Sequence, residues 1–192
     1  MGTNIDQSYI NKVSEVLLAG KTILYPTDTV WGLGCDATND KAVSKIYKIK
    51  KREESKSLII LVSSLSMLKE YVNVPKNVIK VIKESIKPTT IIYQNPIGIS
   101  GKIINKEDNS VAIRIVKDDF CQKLITQFGK PIVSTSANIS GEDTPNSFED
   151  ISEEVKLNTE FIVSLLDKKQ KTIKPSTILK INKEGLIITL RA

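Results

Sequence analysis

Residues 22–34 read Thr22-Ile23-Leu24-Tyr25-Pro26-Thr27-Asp28-Thr29-Val30-Trp31-Gly32-Leu33-Gly34. A short apolar strand, Thr22 to Tyr25, ends on a proline and empties into a loop of hydroxyls punctuated by glycine. A helix follows, because Asn39 is a good N-cap and Ala42, Val43, Ile46 and Ile49 recur at helical spacing. The helix closes on Lys48, Lys50, Lys51 and Arg52, and Leu58 to Val62 is a second apolar strand. Loops at strand ends are where chemistry is mounted on a rigid frame. Hydroxyls at one end of such a unit and cations at the other suit an anionic, oxygen-rich ligand.

Outward from this unit, Ile10, Val13 and Leu17 predict an amphipathic helix over residues 7–19, ended by Gly20. Ser64 caps a short helix through Met67 and Leu68. Pro75 opens another helix, with Val78, Ile79, Ile82 and Ile86 on one side. Strands are predicted at 89–93, 111–115 and 131–135, with a helix from Asp118 to Phe128 stopped by Gly129. A polar connection spans 95–109, and a polar loop runs from Ser136 to Ser147. A weaker helix (148–157) and three short strands (161–166, 177–181, 185–190) complete the chain. Helices and strands alternate early and strands dominate late. That order predicts a single α/β domain over residues 1–192, a twisted mixed β-sheet with flanking helices.

The totals narrow the chemistry. The chain of 192 residues is 40% hydrophobic and 26% charged, ordinary for a globular protein. No apolar run approaches a membrane span, and the N-terminus has neither a basic start nor an apolar signal core, so the expected location is cytoplasmic. Two cysteines, Cys35 and Cys121, sit far apart and are expected to be reduced. The absence of histidine removes His-activated nucleophiles and His-ligated zinc. What remains is Lys, Arg, hydroxyls, carboxylates or a metal brought by the ligand. A net charge of +6 is compatible with a polyanionic partner and equally with a lysine-rich solvated surface.

Two motif matches fail on context. Gly20-Lys21-Thr22 ends like a phosphate-binding P-loop, but Glu15 stands where the first glycine belongs and a helix precedes it. Gly32-Leu33-Gly34-Cys35-Asp36-Ala37 satisfies a dinucleotide fingerprint, yet its first glycine lies beyond the turn and its helix starts only near Asn39. Lys50 and Arg52 are sharper. Two residues apart, they diverge on a helix but converge on extended chain, so a helix ending near Ile49 lets both grip one phosphate. The plain alternative is a favourable cationic helix end. Ser134-Thr135-Ser136-Ala137-Asn138 sets hydroxyls and an amide where a strand opens into a loop, suited to oxyanion binding or simply to turns. Arg114, on an alternating strand, needs an anionic partner if it points inward and nothing if it points to solvent.

In order along the chain, these pieces resemble the YrdC-like family of threonylcarbamoyl-AMP synthases. The matching segments are Tyr25 to Leu33, Lys50-Lys51-Arg52, Val111-Ala112-Ile113-Arg114, Ser134 to Asn138, Ser176-Thr177-Ile178 and the terminal Leu190-Arg191. The resemblance implies a short single-domain nucleotidyltransferase with a basic concave face. It would join L-threonine, bicarbonate and ATP into threonylcarbamoyl-AMP and pyrophosphate, for threonylcarbamoyladenosine modification of tRNA. By the same resemblance, Lys50 and Arg52 serve the phosphates and the carbamate. Thr27, Arg114, Ser134 and Ser176 hold threonine, while Ser110, Ser136, Asn138, Thr144 and Arg191 hold the nucleotide. Mg²⁺ is expected to arrive with ATP. Implied partners are tRNA on the basic face and the downstream transfer machinery.

The chain departs from the family pattern in places. Ile86-Lys87-Pro88 replaces a Pro-Gly-Pro run, and Val116 stands where proline is usual. Asp167-Lys168-Lys169-Gln170 replaces a glycine-rich segment before Ser176. The alternative reading is therefore a non-catalytic RNA-binding paralogue. A carbamoyl-adenylate domain of the hydrogenase-maturation type is excluded by length and by the cysteine count.

Overall fold

The computed structural model describes residues 6–54, 56–164, 175–182 and 185–192. Helix α1 (Gln7–Leu18) starts at Asp6, whose carboxylate accepts the Ser8 N–H, and buries Ile10, Val13 and Leu17. Strands β1 (Ile23–Tyr25) and β2 (Gly32–Gly34) form a hairpin. Helix α2 (Asp40–Ile49) is capped by Asn39, which accepts the Lys41 and Ala42 N–H groups. Strand β3 (Ile59–Val62), α3 (Leu65–Tyr71), α4 (Lys76–Glu84), β4 (Thr89–Gln94) and β5 (Ser110–Ile115) come next. They are followed by α5 (Asp119–Phe128), β6 (Ile132–Ser136), α6 (Glu153–Asn158), β7 (Phe161–Ile162), β8 (Thr177–Ile181) and β9 (Ile187–Arg191).

The strands lie in one mixed, twisted sheet in the order β7-β1-β2-β6-β3-β5-β4-β8-β9. Strand β6 runs antiparallel to both β2 and β3, while β3 and β5 are parallel. The chain thus returns late, inserting β6 between the opening hairpin and β3. This insertion brings the hydroxyl-bearing turn after β1 alongside the end of β6 and the Arg114 end of β5.

Alternation along β1 divides the core. Ile23 and Tyr25 join Leu61 and Ile132 beneath α1 and α5, where Val13, Leu17, Phe120, Leu124 and Ile125 are fully buried. Leu24 faces the other way, with Ile60, Val62 and Ile113, against Ile46 of α2, Leu68 of α3 and Val78 of α4. This is the period-two pattern of a strand covered on both faces. Among the described residues, no helix is long and apolar enough to cross a membrane.

Several elements depart from the sequence expectation. Gly32-Leu33-Gly34, expected as loop, is strand β2, and its glycines serve close packing. A Cβ on Gly34 would stand 2.5 Å from the Val133 carbonyl oxygen and 2.8 Å from the Tyr25 ring. Pro75 is the N-cap of α4 rather than its first residue. Ile86 is 92% exposed, because α4 stops at Glu84 and Pro88 turns the preceding chain out of helix. Helix α6 begins only at Glu153, since Asp150 ties the Asn146 and Ser147 N–H groups into a turn and Ser152 takes the cap. The expected strand at 161–166 is confined to β7, and its last two residues fall outside the described residues, as do 168–174 of the replaced glycine-rich segment.

Candidate active site

A cleft of about 240 Å³ opens where the β1–β2 turn, the end of β6 and the chain after α2 meet β5, β8 and β9. Of the residues implicated by sequence, Thr27, Arg52, Arg114, Ser134, Ser136, Thr144, Ser176 and Arg191 line it. Lys50 and Asn138 stand behind its wall. Ser110 is not among the lining residues: it lies buried at the start of β5, paired with Gln94 and bonded to the neighbouring Asp108.

The β1–β2 turn owes its shape to its hydroxyls. Thr27 Oγ1 donates to the Val30 carbonyl at 2.8 Å and accepts the Thr29 N–H at 3.0 Å. The same oxygen meets Thr29 Oγ1 at 3.0 Å. A side chain bonding its own backbone two residues on is the turn-forming habit of such residues. Asp28, at the centre of this rigid turn, is presented to Arg114.

The end of α2 explains how Lys50 and Arg52 converge. Lys51 adopts a left-handed conformation, with φ of 48°. The Arg52 N–H then bonds the Tyr47 carbonyl at 2.9 Å and the Lys51 N–H bonds the Lys48 carbonyl at 3.1 Å, the paired bonds of a Schellman close. Arg52 leaves the helix and lies along the returning chain, donating to the Lys56 and Ser57 carbonyls at 3.2 and 3.0 Å. Lys50 is only 2% exposed, and its ammonium donates to the Ser136 and Asn138 carbonyls at 2.5 and 2.6 Å. Burial first, and then the Arg52 charge, push this ammonium down to about 8.

Across the cleft, Arg114 points inward, 4% exposed, with Nη2 3.2 Å from Asp28 Oδ1. Beside it in register, Thr90 of β4 shares a 2.8 Å hydroxyl contact with Ser176. Arg191 donates twice to the Ser176 carbonyl, at 3.0 and 2.8 Å. Burial and then the charge of Arg114 lower the Arg191 pKa. Three guanidinium groups therefore share a cleft whose described lining holds no carboxylate.

Several buried polar atoms among the described residues have no hydrogen-bond partner. They include Arg114 Nε, both Asp28 carboxylate oxygens and Asn138 Oδ1, so the Arg114–Asp28 contact is an ion pair outside hydrogen-bond geometry. The three guanidinium groups and the hydroxyls of the described lining, with no carboxylate among them, suit an oxyanion.

Sequence reasoning did not single out Asp28, Thr90, Thr29 or Ser57. Asp28 had a signal: an inward Arg114 required an anionic partner, and the hydroxyl loop contained one carboxylate. Thr90 had none, because only the parallel pairing of β4 with β8 carries Ser176 to it.

A basic, hydroxyl-lined cleft on a mixed α/β sheet is a site suited to an oxyanion. Residues 15–192 match the model of the Sua5/YciO/YrdC family, described as "Telomere recombination", and the chain belongs to that family. It is 37% identical over 144 residues to a Pseudoalteromonas translucida protein named threonylcarbamoyl-AMP synthase, covering 72% of this chain and 76% of that one. Its fold superposes with a TM-score of 0.88 on P. abyssi Sua5 complexed with L-threonine, at 27% identity and over 98% of this chain. The chain spans only 55% of the length of that Sua5 chain. E. coli YciO shares the fold, with a TM-score of 0.81 at 21% identity over 98% of this chain and 90% of YciO.

Proposed function

We propose that the protein is an L-threonylcarbamoyladenylate synthase, a nucleotidyltransferase that converts L-threonine, bicarbonate and ATP into threonylcarbamoyl-AMP, pyrophosphate and water. The observation that carries this reading is the make-up of the cleft lining. Arg114, with its unmet Nε, stands among the hydroxyls of Thr27, Ser134 and Ser176. Arg52 and Ser136 line the same cleft, and Lys50 tethers the segment from Ser136 to Asn138. The first group suits an α-amino acid, its carboxylate on Arg114. The second suits a polyphosphate. The P. abyssi relative complexed with L-threonine and the relative named threonylcarbamoyl-AMP synthase support the same assignment.

In this reading the threonine amine attacks the bicarbonate carbon, a C–O bond breaks and water leaves to give the carbamate, and a carbamate oxygen then attacks the α-phosphate as pyrophosphate leaves. No histidine is required. Lys50 and Arg52 stabilise charge on the phosphates and the carbamate, so that catalysis consists of positioning and cationic stabilisation. Ser136, Asn138, Thr144 and Arg191 hold the nucleotide. Ser110 would reach it only if the nucleotide extends along the sheet face toward the start of β5. Mg²⁺ enters as the MgATP substrate, since the cationic lining supplies no carboxylate to hold a bare divalent ion. The product would pass, in the cytoplasm, to the machinery that transfers the threonylcarbamoyl group to tRNA, and the basic residues near the cleft are where tRNA contact is proposed.

The test is pyrophosphate release by the pure protein with MgATP, omitting threonine or bicarbonate in turn and with serine as control. Release that depends on both supports the synthase. A folded protein that releases none, and whose melting temperature responds to tRNA but not to ATP, would favour the RNA-binding paralogue.

A further inference from the structure

We infer that Asp28 is a positioning residue, which fixes the Arg114 guanidinium in the orientation that receives the carboxylate of an amino-acid substrate. The inference rests on the synthase reading of the cleft. Asp28 does not line the cleft, and its side chain is 14% exposed. It acts through Arg114, whose Nη2 lies 3.2 Å away.

Three features separate this from an ordinary ion pair. First, neither Asp28 oxygen accepts a hydrogen bond and Arg114 Nε donates none. A buried pair satisfied this poorly adds little to stability, because desolvation offsets the attraction. What it does supply is a negative charge beside Nη2, which draws that end of the guanidinium to one side. Second, the turn that carries Asp28 is braced on either side of it by the Thr27–Val30 and Thr29–Thr27 bonds. Third, Arg114 faces another guanidinium closely enough to perturb it, that of Arg191, which is anchored on the Ser176 carbonyl. Like charges repel, and Asp28 is the carboxylate that pairs with Arg114 against that repulsion. Arg114 also lines the cleft, so a guanidinium held by Asp28 on one side can present its cleft-facing N–H groups to a substrate carboxylate.

The variant Asp28→Asn keeps the shape and removes the charge, and Asp28→Glu keeps the charge and shifts it by one methylene. Each is compared with wild type by threonine KM, ATP KM and calorimetric binding of L-threonine, and Asp28→Asn is repeated in an Arg114→Lys background. The expected result for Asp28→Asn is a loss of about tenfold or more in threonine affinity, equivalent to about 1.4 kcal/mol. ATP KM should stay within about twofold, and Asp28→Glu should lose less than Asp28→Asn. In the Arg114→Lys background, Asp28→Asn should add little, because the residue through which it acts has already changed. A lowered melting temperature with unchanged threonine affinity would overturn the inference, as would independent, multiplying effects of the two substitutions. Wild-type protein that binds no threonine would instead overturn the synthase reading, and this inference with it.

Discussion

The Lys50 ammonium donates to the Ser136 carbonyl at 2.5 Å, joining the end of α2 to the end of β6. A second bond reaches the Asn138 carbonyl at 2.6 Å, and the Ser140 N–H returns one to the Lys50 carbonyl at 2.7 Å. One residue therefore holds the 136–140 segment at three points. Substituting Lys50 by Met should free that segment and lower kcat/KM for ATP by about 100-fold or more, the scale of losing a positioned charge. Pyrophosphate-release kinetics with varied ATP check this.

The pH response separates activity from stability. Lys50 has its pKa lowered from 10.5 to about 8 in the folded protein. The folded state thus gives up this proton before the unfolded chain does. Between about pH 8 and 10.5 the unfolded chain binds more protons, and this group's contribution to stability rises with pH. Activity that needs the ammonium falls over the same interval. A pH series of kcat/KM and melting temperature should show the first declining through about pH 8 without a parallel decline from this group in the second, and Lys50→Met should lack that inflection.

Gly34→Ala should be strongly destabilising. The added Cβ would stand 2.5 Å from the Val133 carbonyl oxygen, which is fixed by sheet pairing and cannot move aside as a flexible side chain could. Overpacking of this kind costs about 1–3 kcal/mol, and a backbone clash belongs at the upper end. Urea unfolding measures it.

Lys51→Gly should act in the opposite direction. Lys51 occupies the left-handed region that glycine adopts freely, a conformation costing an L-residue about 1–2 kcal/mol. The Lys51–Glu154 ion pair lost with it is exposed on both sides and contributes little. A gain of about 0.5–1 kcal/mol in denaturant unfolding is expected, with catalysis unchanged if Arg52 keeps its course.

Thr90→Val removes the hydroxyl that meets Ser176 at 2.8 Å, inside a site where Thr90 is fully buried. The orphaned Ser176 hydroxyl should cost about 1–3 kcal/mol in stability. If Ser176 holds threonine, KM for threonine should rise while KM for ATP does not.

Much of this architecture was legible because it rests on local rules. The caps at Asn39 and Ser64, the stop at Gly129 and the apolar spacing of α2 and α5 all follow from short-range sequence. Strand β2 was not legible. Gly32 and Gly34 read as loop punctuation, whereas they are glycines because Tyr25 and the β6 backbone press against them, a tertiary cause. The site followed the same division. The convergence of Lys50 and Arg52 could be argued from spacing, but that Lys50 would turn onto two carbonyls depended on β6 inserting beside β2. Ser110, drawn into the nucleotide set by resemblance, lies four residues from Arg114 along β5, a separation the predicted strand already implied.

The most direct measurement is the mass of the adenylate formed from MgATP, L-threonine and carbon-13-labelled bicarbonate. Threonylcarbamoyl-AMP carrying the label in its carbamoyl carbon is expected, released with an equivalent of pyrophosphate. An adenylate without the labelled carbon, or none at all from folded protein that binds ATP and threonine, would contradict it.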